Sequence, residues 1–244
     1  MIRIAFLYYR YIFNKKMILI FCILILSYTF SMLYSSGIFD GFSYIDMYRN
    51  EYRILYVDEF VVLTKLISVI FSVFVVILLN RESCLDIAKY IVDRPIRRLH
   101  LVLGRIITTV LVTLITVSLF FLIFLIINLF LTPYVFDKEM FISLYKGISL
   151  QVLTYTFITF LVMSIFPNIF LTFIPIVLFW YMEINISRDL ITTSDFIKII
   201  YEYIPNLVKL DGSYALLHSE LNYILTIVIL FLTSIFLNIK KDIK

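Results

Sequence analysis

Five stretches of this chain, 17–35, 60–79, 106–130, 147–184 and 221–239, are each apolar over the length of about 20 residues that a helix needs to cross the hydrocarbon core of a bilayer. The stretch 147–184 holds 38 residues, which as one helix would run about 57 Å at 1.5 Å per residue. That is too long for one crossing and right for two, 147–166 and 169–184, with Pro167-Asn168 as the turn and Pro175 kinking the shorter fifth span. Six spans follow, and the fold class expected is an all-α integral membrane protein. Only 16% of residues are charged, against about a quarter in a soluble domain, and the mean hydropathy is +1.02. The charged material comes in short pieces, so residues 1–244 read as one transmembrane domain.

Lys and Arg set the orientation. Thirteen of the 21 fall at the N-terminus (Arg3, Arg10, Lys15, Lys16), in the segment 81–105 and in the tail, and seven fall in the loops on the other side. Both termini are therefore expected in the cytoplasm. Ser35-Ser36-Gly37 mimics a signal-peptide cleavage site, but residues 1–16 are too long and too aromatic for an ordinary leader. Arg3, Arg10 and Asn14 share one helical face and Phe6, Tyr9 and Phe13 another, which predicts an amphipathic helix over 1–16 lying in the membrane interface. Cys22, within a span, and Cys84, in the charged segment, should not meet, and no metal-binding spacing exists. Scarce Ala, Gly and Pro beside abundant Ile, Phe, Tyr and Lys suggests AT-rich coding DNA, hence the plasma membrane of a low-GC bacterium.

Between the second and third spans lies the chain's one compact charged surface. Read as a helix over 82–93, Glu82, Asp86, Lys89 and Asp93 make a single charged face, and Cys84, Ala88 and Ile91, with Leu85 and Val92, make the opposite one. Pro95 ends this helix, and Arg94, Arg97 and Arg98 follow. On physics alone this is equally a loop helix carrying the positive charge of a cytoplasmic side.

The order Glu82, Pro95, Arg98, Gly104-Arg105 resembles the intracellular signature of type-2 ATP-binding-cassette (ABC) export permeases. There an acidic residue past the second span precedes a Pro-x-Ser/Thr-Arg element and a Gly-Lys. Asp86-Ile87 stand where that family often has Gly-Thr, Arg97 replaces the Ser/Thr, and Arg105 replaces the Lys. The layout is similar too: an interfacial first helix, six spans, a coupling helix after the second span and a long outer loop before the sixth. The resemblance implies a permease subunit that is not itself catalytic, with a second copy or a related permease enclosing the path. A separate ATPase subunit, carrying the ATP and Mg, would grip a coupling surface built from Glu82, Asp86, Lys89, Asp93, Pro95, Arg97, Arg98, Gly104 and Arg105.

The residues themselves agree in part. No G-x-x-x-x-G-K-[ST] occurs and the five glycines are scattered, so no P-loop and no cofactor is expected on this chain. His100 and His218 fall on opposite sides, without a metalloprotease or serine-hydrolase motif. Nucleic acid is not expected as a partner; membrane lipid is. Aromatic-rich spans with little fixed charge suit an amphipathic peptide of toxin or bacteriocin type, or another hydrophobic compound. The rival classes are a stand-alone secondary transporter, disfavoured by the lack of buried carboxylates and of a clear inverted repeat, and a membrane immunity factor with no ATPase partner.

Three polar residues within spans are candidates for a path or gate. Lys65 lies about one turn inside the outer end of the second span, where snorkelling to the interface costs less than facing a central cavity. Asn128 and Gln151, towards the outer ends of the third and fourth spans, read first as interhelical hydrogen-bond partners. Trp180, Tyr181 and Glu183 mark an aromatic belt, and Phe196, Ile199, Ile200, Tyr203 and Ile204 predict a short amphipathic helix in the outer loop 185–220.

Overall fold

A computed structural model of the chain describes residues 2–36, 49–80, 98–132, 138–166 and 213–241, with single positions 38, 173 and 177. The coupling helix expected over 82–93, nearly all of the fifth span and most of the outer loop lie outside the described residues. Among the described residues there is no strand, and six helices follow in order: α1 (Ile2–Ile12), α2 (Lys15–Ser35), α3 (Arg49–Leu79), α4 (Arg98–Leu131), α5 (Lys138–Ile165) and α6 (Ser213–Lys241). Four are long and apolar enough to cross a membrane, through Met17–Ser35, Glu59–Leu79, Leu99–Leu131 and Phe141–Ile165. In α6 the apolar stretch Tyr223–Asn238 is shorter.

Helices α3, α4, α5 and α6 begin 8–11 residues before the apolar runs that announce them. Once a helix is nucleated, each added residue needs only a good propensity, not an apolar side chain. No Pro interrupts these overhangs, and Gly104 is their only Gly. Helix α6 thus starts at Ser213, inside the stretch that the sequence reads as loop. At the other end, Asn14 separates α1 from α2 instead of continuing an interfacial helix to residue 16. Its backbone is extended (φ −79°, ψ 165°) and its Oδ1 accepts from the Met17 backbone N–H at 3.0 Å, an N-cap that starts a new helix.

The core is an aromatic ladder where α3, α4 and α5 meet. Phe60 stacks on Phe124 with centroids 3.9 Å apart, Tyr56 on the same ring at 5.0 Å, and Phe141 approaches it at 5.7 Å. Phe121 meets Phe60 and Tyr145 edge to face. Offset and edge-on contacts of this kind suit the ring quadrupoles and add to dispersion, the main packing force where lipid competes for apolar surface. Helix α6 lies against α5, where Phe157 meets Phe231 edge to face and Asn238 donates to Ser164 Oγ at 2.6 Å.

Most buried hydroxyls need no second helix. Thr109, Thr116, Thr154, Thr156, Thr159 and Ser164 each donate to the carbonyl one turn earlier. That bond satisfies the hydroxyl inside an apolar medium. Other hydroxyl contacts do cross between helices, among them Tyr28 to Thr64 at 3.0 Å, Ser72 to Thr113 at 2.9 Å and Ser118 to Tyr145 at 2.8 Å. Of the four candidate spans α2 is the least enclosed, with only 17% of its apolar window buried.

Candidate functional site

Of the residues predicted to couple to an ATPase, Glu82, Asp86, Lys89, Asp93, Pro95 and Arg97 lie outside the described residues. Arg98 opens α4, while Gly104 and Arg105 are buried two turns further on. Around these last two α1, α3 and α4 meet in a joint.

Gly104 is the contact point for α1. A Cβ placed on it would lie 2.8 Å from Ile4 Cγ2 and 3.6 Å from Tyr8 Cε2. Any other side chain would therefore hold the two helices apart. Ile4, Tyr8 and Ile12, spaced one turn apart, are all buried and share a cluster with Met17, Phe71, Val75, Leu79, Leu101 and Val112. Thr108, one turn after Gly104, donates to the Ala5 carbonyl at 3.0 Å and to the Gly104 carbonyl at 2.7 Å, pinning α1 along α4. The aromatic face expected for α1 is present as Phe6 and Tyr9, both exposed. The sequence reading missed its second apolar face, although Ile4, Tyr8 and Ile12 have the right period.

Arg105 closes the joint from the other side. It is 8% exposed, and its Nη1 donates at 3.2 Å to Oδ1 of Asn80, the residue that ends α3. Asn80 also donates from Nδ2 to the Val76 carbonyl at 2.8 Å. One carboxamide thus caps α3 and holds the Arg105 guanidinium, so the residue just before the segment 81–97 is tied to a point two turns into α4. Asn80 was readable as the polar stop of an apolar run, but nothing in the sequence paired it with Arg105.

The three candidate path residues separate. Asn128 is half-buried and bonds within its own turn: its Oδ1 accepts from Thr132 Oγ1 at 2.8 Å, so it bridges no helices through that contact. Lys65 is 7% exposed and its ammonium stands 5.9 Å from the centre of the Tyr155 ring on α5. Gln151, one turn before Tyr155, is 2% exposed and its Nε2 has no acceptor. The structure brings Lys65 and Gln151 to the α3–α5 seam and leaves Asn128 elsewhere.

Comparison of the chain with protein families, with curated proteins and with solved structures gives no match.

Proposed function

We propose that this chain is the membrane-spanning permease subunit of an ABC exporter, working with a separate ATPase and a second permease. The passenger in this reading is an amphipathic peptide or another hydrophobic compound. The observation that best supports it is where the Gly104-Arg105 pair of the motif falls. Both residues belong to a tight joint of α1, α3 and α4, and that joint holds the residue just before the charged segment 81–97 against a point two turns into α4. A docking segment can pass a push into spans only if its base is stiff. A loop that merely carries positive charge needs no such base. In this arrangement both termini face the cytoplasm, ATP binding draws the ATPases together, and the segment 82–93 carries the movement into α3 and α4. That shifts the population between inward- and outward-open states.

The test is coupling, measured in reconstituted complexes with the co-purifying ATPase at matched protein levels. Glu82→Ala and Arg98→Ala should each lower export per ATP hydrolysed while the chain still inserts normally. Wild-type coupling in both variants, or the absence of any ATPase bound to the wild-type chain, would refute the reading.

A further inference from the structure

Helix α1 has two faces, and the joint uses only one of them. Ile4, Tyr8 and Ile12 are buried, and the approach of Ile4 and Tyr8 to Gly104, with the bond from Thr108 to the Ala5 carbonyl, fixes the rotation of the helix. Phe6, Leu7, Tyr9 and Arg10 are therefore turned outwards and exposed, Phe6 by 66%. Phe6 and Arg10 stand one turn apart on the same side. Beside them the Tyr9 ring packs on Phe13 with centroids 4.5 Å apart. The outer face is thus an aromatic strip with a guanidinium set in it. Lys15, the first residue of α2, is exposed just beyond the Asn14 break. Arg3, Arg10, Lys15 and Lys16 all precede the first acidic residue of the chain, Asp40.

The height of α1 in the bundle says what lies outside this face. It meets α4 at Gly104 and Thr108, beside the Arg105 that reaches Asn80 at the end of α3, and only Phe13 and Asn14 separate it from the start of α2. Apolar spans thus begin or end at this level, where hydrocarbon gives way to headgroups. We propose that the outer face of α1 docks anionic lipid, with Arg10 and Lys15 taking the charge of the headgroup and Phe6, Tyr9 and Phe13 sinking into the acyl boundary beneath it. Aromatic residues beside cations suit a helix lying in that boundary. Arginine suits the charged role, because its stem lies along apolar surface while its fork reaches phosphate oxygens. A zwitterionic lipid offers the same phosphate, but its own ammonium cancels the attraction. A headgroup of net negative charge gains about fivefold in affinity for each cation near the surface. The binding needs no ATPase, so its failure and the failure of the export reading are separate results.

The experiment uses the full chain in nanodiscs of mixed phosphatidylcholine and phosphatidylglycerol. Trp180→Phe removes the single tryptophan, and Phe6→Trp places one on the outer face of α1. Brominating the acyl chains of one lipid at a time quenches that tryptophan in proportion to the lipid's occupancy beside it. At low salt phosphatidylglycerol should be preferred by about tenfold or more, and high salt should shrink the preference. Arg10→Gln should lower it about fivefold, and Arg10→Lys should keep it. With Ile115→Trp in place of Phe6→Trp, on an exposed position midway along α4, the two lipids should quench equally. Equal quenching at Phe6→Trp would overturn the proposal whatever the other variants do. So would a lack of quenching by either lipid, which would mean that protein or water covers the face. A preference that survives Arg10→Gln combined with Lys15→Gln, or one equally strong at Ile115→Trp, would overturn it as well.

Discussion

Replacing Gly104 with Ala sets two effects of opposite sign against each other, and the structure says which wins. In an exposed helix interior, Gly to Ala stabilises by about 1 kcal/mol because Ala gives up less backbone freedom. Here the new methyl would sit 2.8 Å from Ile4 Cγ2, about 1 Å inside an ordinary carbon contact. Ile4 cannot swing away cheaply, because Cγ2 is fixed to a β-branched carbon with few allowed rotamers and the side chain is buried. Overpacking of this kind costs about 1–3 kcal/mol, so the net effect should be a loss of about 0–2 kcal/mol. Ile4→Ala removes the opposing methyl. In that background Gly104→Ala should become stabilising, by about 1 kcal/mol, giving a coupling energy of about 1–3 kcal/mol between the two positions. The assay is reversible unfolding in mixed micelles followed by circular dichroism, with all four corners of the cycle measured. If Gly104→Ala stabilises the wild-type chain as much as the Ile4→Ala chain, α1 does not rest on α4 at this point.

Asn80→Ala should destabilise by about 1.5–3 kcal/mol in the same assay, because the buried Arg105 guanidinium loses the acceptor that Asn80 provides; a change below about 0.5 kcal/mol would mean the contact is incidental. The double change Tyr28→Phe with Thr64→Val should reveal a coupling of about 0.6 kcal/mol, typical of a side-chain hydrogen bond between membrane helices, and additive single effects would refute it. Phe124→Ala should cost about 3–5 kcal/mol, since that ring contacts Tyr56, Phe60 and Phe141; a loss under about 1 kcal/mol would place the core elsewhere. Cysteines placed at Asn14 and Lys241 should react with an impermeant thiol reagent only from the cytoplasmic side, and reaction of either from outside would overturn the orientation.

How much of this was legible beforehand varies with the physics behind each feature. The apolar runs located α2, α3, α4 and α5, because the bilayer imposes a length that leaves a mark in composition. They misplaced the N-terminal ends of α3, α4, α5 and α6, since a helix can run past its apolar stretch into charged residues such as Arg49, Glu51 and Arg53 without changing its backbone bonds. Gly104 and Arg105 stood out through the order of the motif, but their partners Ile4 and Asn80 come from 100 and 25 positions earlier. Long-range pairing of that sort leaves no local periodicity. The burial of Lys65 was not legible, because snorkelling is the cheaper course for an isolated helix. The contact with Tyr155 exists only once α5 lies beside α3.

The sparse enclosure of α2 has a consequence for how the protein is made. A helix whose apolar residues point all ways, with Ile18, Leu19, Ile23, Leu26 and Phe30 outside the bundle, is at home in lipid from the moment it leaves the ribosome. Helix α3 carries in addition Lys65, a charge that costs up to about 2.5–3.5 kcal/mol at the centre of a lone helix and less about one turn inside its outer end, where it lies. Its companion Tyr155 is synthesised ninety residues later. Helix α3 should therefore settle less readily in the bilayer, or linger at the insertion machinery, until α5 arrives. Nascent chains halted at residue 132 should keep α3 within cross-linking reach of that machinery, whereas chains halted beyond 200 should release it; equal cross-linking at both lengths would show that α3 settles without α5. The early helix needs only lipid, and the later pair must wait for each other.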